Sequence, residues 1–300
     1  MGNVRRGRAR FRPFRFISRR GVAKAVRLSG RPHLDRPPMV VAFEGWNDAA
    51  EAASCAVSHL ARTWQAAPLA EINPEEFFDF TVARPQVTVV EGLVRQISWP
   101  ATVFSVAPGA PDVVLASGPE PQLRWRAYCD AFVELALALR TKQVVLLGAY
   151  LAEVKHSRPV PLAATASDAA MMGSPSPALS RYEGPTGIVG ALGAAFAAAR
   201  VPTISIWASV PCYSIPVSAK AALALADAAA RTVGRPADFA ELTAEALEYE
   251  RRMDELVATD ETVAAYVARL GRNEDASAPE GSLEGLTDEI ERYLRDEPSG

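Results

Sequence analysis

Buried strands alternate with helix-patterned stretches along most of this chain, and that alternation limits the folds open to it. Residues 39–43 form a continuous apolar run of strand length, which passes through a polar turn at 45–48 into a stretch at 49–65 with Ala53, Val57, Leu60, Ala61 and Trp64 on one helical face. An amphipathic stretch at 122–140 leads into the apolar run 144–149, a helix pattern of Gly, Ala and small apolar residues at 185–200 leads into 203–208, and a further helix pattern covers 218–232. Strands flanked by helices in this order pair largely in parallel and are covered on both faces. Further strands are predicted at 102–107, 113–116 and 162–165. Residues 87–90 and 93–99 flank Glu91-Gly92 as a hairpin, expected to make part of the sheet antiparallel. The expected fold is therefore a three-layer α/β/α sandwich with a mixed, largely parallel sheet.

Beyond residue 237 the texture becomes charged helix. Phe239, Leu242, Ala246, Tyr249, Met253 and Leu256 follow a 3-4-3-4-3 spacing, too short a seam for a free coiled coil, so a helical hairpin packed on the core is expected. Asp260 can cap the second helix. A polar linker at 272–281 precedes a last apolar pattern of Leu283, Leu286, Ile290 and Leu294. Three regions result: a basic, disordered arm at 1–36, an α/β core at 37–236 and a helical extension at 237–300.

Charge separates the arm from the body. Residues 1–36 hold 12 Lys or Arg and one acid, or +11, whereas the rest holds 20 basic and 34 acidic residues, or −14. The arm interleaves Arg with Phe, a composition that binds nucleic acid or anionic lipid weakly, but a disordered tail or translation from too early a start codon is the simpler expectation. No apolar segment follows the arginines as an export signal requires, and the longest mostly apolar run, 187–199, is shorter than the roughly 20 residues of a membrane span. Cys55, Cys129 and Cys212 form no CxxC pair and are odd in number, which suits a reducing cytoplasm.

The familiar catalytic motifs are missing from the sequence: GxSxG, HExxH and GxxxxGK[ST]. Gly184, Gly187 and Gly190 recur at three-residue intervals where a helix opens, which suits either an anion cradle or close helix-to-sheet packing; packing is the favoured reading. Glu44, Trp46, Asn47, Asp48, Glu120, Arg124, His156, Arg158, Asp168, Arg181, Glu183 and Thr186 all fall at predicted strand ends or loop-to-helix turns. Asp48 and Asp168 are placed to cap helices. In a mainly parallel sheet such positions converge on one edge. Acids and arginines together suit an ion-pair network, an oligomer interface or a polar pocket equally, and no nucleophile–base pair stands out.

Several ordered motifs, Phe43-Glu44-Gly45-Trp46-Asn47-Asp48, Gly118-Pro119-Glu120-Pro121, His156-Ser157-Arg158-Pro159, Ser167-Asp168, Ser180-Arg181-Tyr182-Glu183-Gly184-Pro185-Thr186-Gly187 and Trp207-Ala208-Ser209-Val210-Pro211, give the chain its resemblance to a known family. Over residues 39–270 it resembles the proteasome assembly chaperone 2 family in its actinobacterial branch. The resemblance implies a fold similar to purine nucleoside phosphorylases and related hydrolases, homo-oligomers, and in eukaryotic relatives the escort of proteasome α-subunits. Some bacterial members carry the label of carboxylate–amine ligase. The chain departs from the pattern in its basic arm, in Cys212 where a His is expected, and in a Pro298-Ser299-Gly300 end without a hydrophobic-Tyr-any motif. The expectation is a non-enzymatic cytoplasmic oligomer, a trimer or a multiple of it, that binds a proteasome-related protein through the twelve residues above, without catalytic residues, cofactor, metal or membrane contact. The alternative is an enzyme or small-ligand-binding protein of phosphorylase or ligase type.

Overall fold

The computed structural model describes residues 25–29, 34–90, 93–168, 171–172, 178–180 and 182–276. Eleven strands and six α-helices are described in it: β1 (Val26–Leu28), β2 (Met39–Glu44), α1 (Ala52–Thr63), β3 (Ala67–Ile72), β4 (Gln86–Val90), β5 (Leu93–Ser98), β6 (Thr102–Ala107), β7 (Val113–Pro119), α2 (Trp125–Ala138), β8 (Val144–Ala152), β9 (Leu162–Ala166), β10 (Ala178–Leu179), α3 (Ile188–Ala198), β11 (Thr203–Pro211), α4 (Ala219–Val233), α5 (Ala240–Thr259) and α6 (Glu261–Ala276).

Nine strands form one sheet in the order β1-β3-β6-β7-β2-β8-β11-β9-β10. Its centre, β7-β2-β8-β11, is parallel, with Met39 opposite both Val114 and Val144, and Thr203 opposite Val144. Antiparallel pairing comes from β1, β3 and β6 on one flank and from β9 on the other. The sheet is thus mixed and largely parallel, as expected, but its antiparallel part has a different source. The 86–98 hairpin, expected within the sheet, is a separate two-stranded ribbon of β4 and β5.

Strand alternation assigns the two cores. In β2, Val40 and Ala42 face one layer while Met39, Val41 and Phe43 face the other, and all five are fully buried. The first layer holds α1 and α4, with α5 laid over α4 through Leu242, Tyr249 and Met253. The second holds α2 and α3 around an aromatic cluster in which Phe132 lies 5.8 Å from Phe43, 4.9 Å from Phe104 and 5.3 Å from Tyr128 between ring centroids. Burial raises the Tyr128 phenol above its ordinary range, and its hydroxyl bonds Thr102. Such a ring cluster adds to simple area burial through edge-to-face contact.

Several boundaries differ from the sequence reading. Val26–Leu28, expected in the arm, pairs with β3 as Val26 opposite Ile72. β3 itself was not expected, because Pro68 and Glu71 break its apolar pattern; Pro68 lies at a register shift and beyond the reach of β1. α3 begins at Ile188 with Gly187 as N-cap, so Pro185 precedes the helix. The last predicted helix, with Leu283 to Leu294, lies outside the described residues.

Candidate functional site

The parallel strands β2, β7, β8 and β11 end at a common carboxyl edge, and the turn after β2 organises one half of it. Gly45 takes φ +101°, a left-handed conformation that suits glycine and turns the chain sharply. The Asn47 carbonyl then accepts from Ala149 N–H of β8 at 2.9 Å, and Asp48 forms a parallel bridge to Ala149. Asp48 Oδ1 accepts from Ala53 N–H at 2.6 Å and Ser54 N–H at 3.2 Å, satisfying the first turn of α1.

Fully buried Asn47 donates through Nδ2 to Glu120 Oε1 at 2.8 Å, and the same oxygen accepts from Ile188 N–H at 2.8 Å. The Glu120 carboxylate therefore joins the β2 turn, the end of β7 and the start of α3, where the helix dipole favours a negative charge. Glu120 N–H also donates to the Glu44 carbonyl at 3.1 Å. Gly187 closes the arrangement: a Cβ there would run into the Asn47 side chain. Thr186 lies in the same way over Gly190. The glycine turn is thus a packing device, and its free N–H at Ile188 is held by an acid of the chain itself.

The acids of this half are perturbed by their surroundings. Burial pushes the Asp48 carboxyl above the usual carboxylate range, opposed by its bonds from Ser54 and Ala53. Glu44 is pushed up by partial desolvation, with the Asp48 and Glu51 charges adding to it.

The other half of the edge is built around His156. Its ring is buried, with Nδ1 2.9 Å from the Tyr213 hydroxyl and Nε2 3.0 Å from Asp254 Oδ1 of α5. Lys220, in the first turn of α4, donates to the carbonyls of His156 at 2.6 Å and Arg158 at 2.7 Å, and pairs with Glu250 at 2.5 Å. The loop after β8 is pinned by these bonds to α4 and α5. Beside it lies a cleft lined by His156, Arg158, Ser209, Ser218, Lys220 and Tyr249, with room for about one water.

The twelve sequence-predicted residues are therefore not one constellation. Asn47, Asp48 and Glu120 meet, with the Glu44 carbonyl and the Thr186 turn beside them; His156 and the Arg158 carbonyl belong to the second cluster. Trp46 is half exposed on the β2 turn. Arg124 is an exposed residue that pairs with Glu76 and stands 5.9 Å over the Phe77 ring. Exposed Asp168 follows β9 and its carbonyl accepts from Met171 N–H at 3.0 Å; most of the segment whose helix it was expected to cap lies outside the described residues. Glu183 is exposed, and Arg181 lies outside the described residues. Lys220, Tyr213, Asp254 and Glu250 were missed. Lys220 left one trace, as the single charge among residues 219–226 of an Ala-rich helix.

Both clusters orient loops, and neither presents a nucleophile beside a free base. Among the described residues no group of His, Cys, Asp and Glu has the geometry to hold a metal ion, and no helix is long and apolar enough to cross a membrane.

The sequence matches the PAC2 family over residues 42–257. A Mycobacterium tuberculosis proteasome-assembly chaperone homologue is 41% identical, covering 77% of this chain and 99% of that one, with a TM-score of 0.71. A PAC2 family protein from Streptomyces avermitilis is also 41% identical, with the same coverage and a TM-score of 0.71. Pyrococcus furiosus PbaB, an archaeal proteasome activator, shares the fold at 17% identity and a TM-score of 0.61 over 77% of this chain and 97% of that one. No curated protein matches the chain. With the family pattern spanning the central strands, both edge clusters and most of α5, this chain belongs to the PAC2 family.

Proposed function

We propose that the chain is a non-enzymatic, cytoplasmic, oligomeric protein of the proteasome-assembly-chaperone class, which binds a proteasome-related protein through the loops at the carboxyl edge of its sheet. One observation carries the reading. The polar groups a catalyst would need at that edge are engaged within the chain, Glu120 between Asn47 and Ile188, His156 between Tyr213 and Asp254. Buried networks of this kind, in which Asn47 Oδ1 is left without a partner among the described residues, fix loop shape, which is what recognition of a partner surface requires. The mycobacterial relative, a proteasome-assembly chaperone homologue, supports the same reading.

The phosphorylase-like or ligase-like alternative needs an anion cradle at the edge, and the glycine turn offers none while Glu120 occupies the first N–H of α3. Titration of the purified full chain with purified proteasome α-subunits tests the proposal. It predicts saturable binding with Kd of about 1 μM or tighter, more than 8 kcal/mol of binding free energy. Absence of binding, together with a nucleotide-dependent turnover by the chain, would overturn it.

A further inference from the structure

We propose that the β4–β5 hairpin is the surface on which a second copy of this chain docks. This rests on the oligomeric reading above and names the interface that reading leaves open. The hairpin leaves the fold at the carboxyl edge, between β3 and β6, where Ile72 pairs with Thr102. Val87 stands opposite Ile97, and Val89 lies two residues along on the same face. These three side chains are 57%, 51% and 52% exposed, whereas Gln86, Thr88, Gln96 and Ser98 occupy the opposite face. From its base to Val89 the hairpin is amphipathic with its apolar face in solvent, and exposed Val90 and Leu93 add apolar surface near its tip.

A two-stranded hairpin is marginal in water unless an apolar face is packed. Among the described residues β4 pairs with β5 alone, and the pair is anchored near its base by Phe80 against Trp99, 4.8 Å between ring centroids. Trp46, Val82 and Leu123, on turns at the same edge, are exposed as well, so the apolar surface extends beyond the hairpin. A cluster of exposed apolar side chains of this kind marks an interaction site.

Two arguments select a second copy as the occupant. A hairpin that depends on cover needs an occupant present whenever the chain is folded, and another copy of the chain meets that condition without a partner's supply. Charge agrees. Residues 37–300 carry −14, so two such bodies repel one another at close range even though residues 1–36 bring the whole chain to −3, whereas residues 82–103 carry only Arg84, Glu91 and Arg95, or +1. The hairpin is where two acidic bodies can meet without like-charge contact. Its two free strand edges add a backbone pattern that an identical hairpin complements.

Sedimentation velocity of the full chain and of Val89→Arg at micromolar concentration tests this, with hydrogen exchange of residues 86–98 in the wild type as a second readout that does not depend on a variant's folding. The inference expects the wild type at a multiple of 32.1 kDa and Val89→Arg at 32.1 kDa with unchanged far-UV circular dichroism. It also expects hairpin amides whose protection falls on dilution in step with the mass. If Val89→Arg assembles like the wild type and hairpin exchange is independent of concentration, the hairpin assignment is wrong while self-association stands. A wild type that sediments at 32.1 kDa overturns self-association itself, and hairpin amides that become protected only when a proteasome α-subunit is added give the surface to that partner instead.

Discussion

Glu120 shows how much a single side chain decides at this edge. Its Oε1 accepts one hydrogen bond from Asn47 Nδ2 and one from Ile188 N–H, both on fully buried residues. Leaving buried donors unpaired costs about 1–3 kcal/mol for each. Glu120→Ala should therefore destabilise the protein by roughly 2–4 kcal/mol, lowering Tm by about 5–15 °C in a domain of this size. Glu120→Gln, which keeps an acceptor oxygen, should lose less than half as much, and a thermal melt distinguishes the two. Asp48 gives a prediction of opposite sign. Its folded pKa is raised by burial, so the stability it contributes is complete at pH values below the unfolded value and is lost as pH rises through the folded one. Asp48→Asn retains an acceptor for Ala53 N–H and resembles the protonated form. Its denaturation midpoint should match or exceed the wild type at pH 7, and the difference should shrink towards zero as pH falls below about 4. The sequence identifies Asn47, Asp48 and Glu120 as edge residues by type and position. It does not reveal that Asn47 and Glu120, 73 residues apart, are partners, because that pairing depends on β2 and β7 lying side by side.

At the scale of elements, the parallel centre is what the sequence describes best. β2 covers the predicted residues 39–43, and β8 and β11 begin at the predicted 144 and 203, because runs buried on both faces carry their own signal. β1 and β3 lack that signal: one is three residues long and the other contains Pro68 and Glu71, so both depend on neighbours for their definition. The loop after β8 depends on neighbours in the same way. Lys220 holds its carbonyls at His156 and Arg158 while Glu250 of α5 neutralises the ammonium. Lys220→Met removes those bonds but keeps much of the side-chain bulk. Amide exchange at residues 154–158, where Arg158 N–H donates to the Lys155 carbonyl, should accelerate by about tenfold, the effect of ~1.4 kcal/mol on local opening. Exchange in β8 at Val144 to Leu146 should stay unchanged, since these residues are paired on both sides.

The whole molecule is a buried polar edge framed by an exposed apolar rim. The inner residues, Asn47, Asp48, Glu120 and His156, give the loops one shape; the outer ones, Trp46, Leu123, Val87 and Val89, are exposed among the described residues. Charge follows the same division, with the acidic body surrounding a nearly neutral hairpin. The exposure of the hairpin was not legible from residue types alone, because it alternates in sequence like any half-buried strand pair and only its position in space shows that its apolar face is exposed among the described residues. If the inner residues shape the edge and the rim makes the contacts, an exposed rim residue should matter to binding and little to folding. The affinity of Trp46→Ala for purified proteasome α-subunits, set beside its melting temperature, measures this. We predict binding weakened by about tenfold or more, with Tm lowered by no more than about 4 °C, the size of a ~1 kcal/mol loss. Binding as tight as the wild type's would contradict the account.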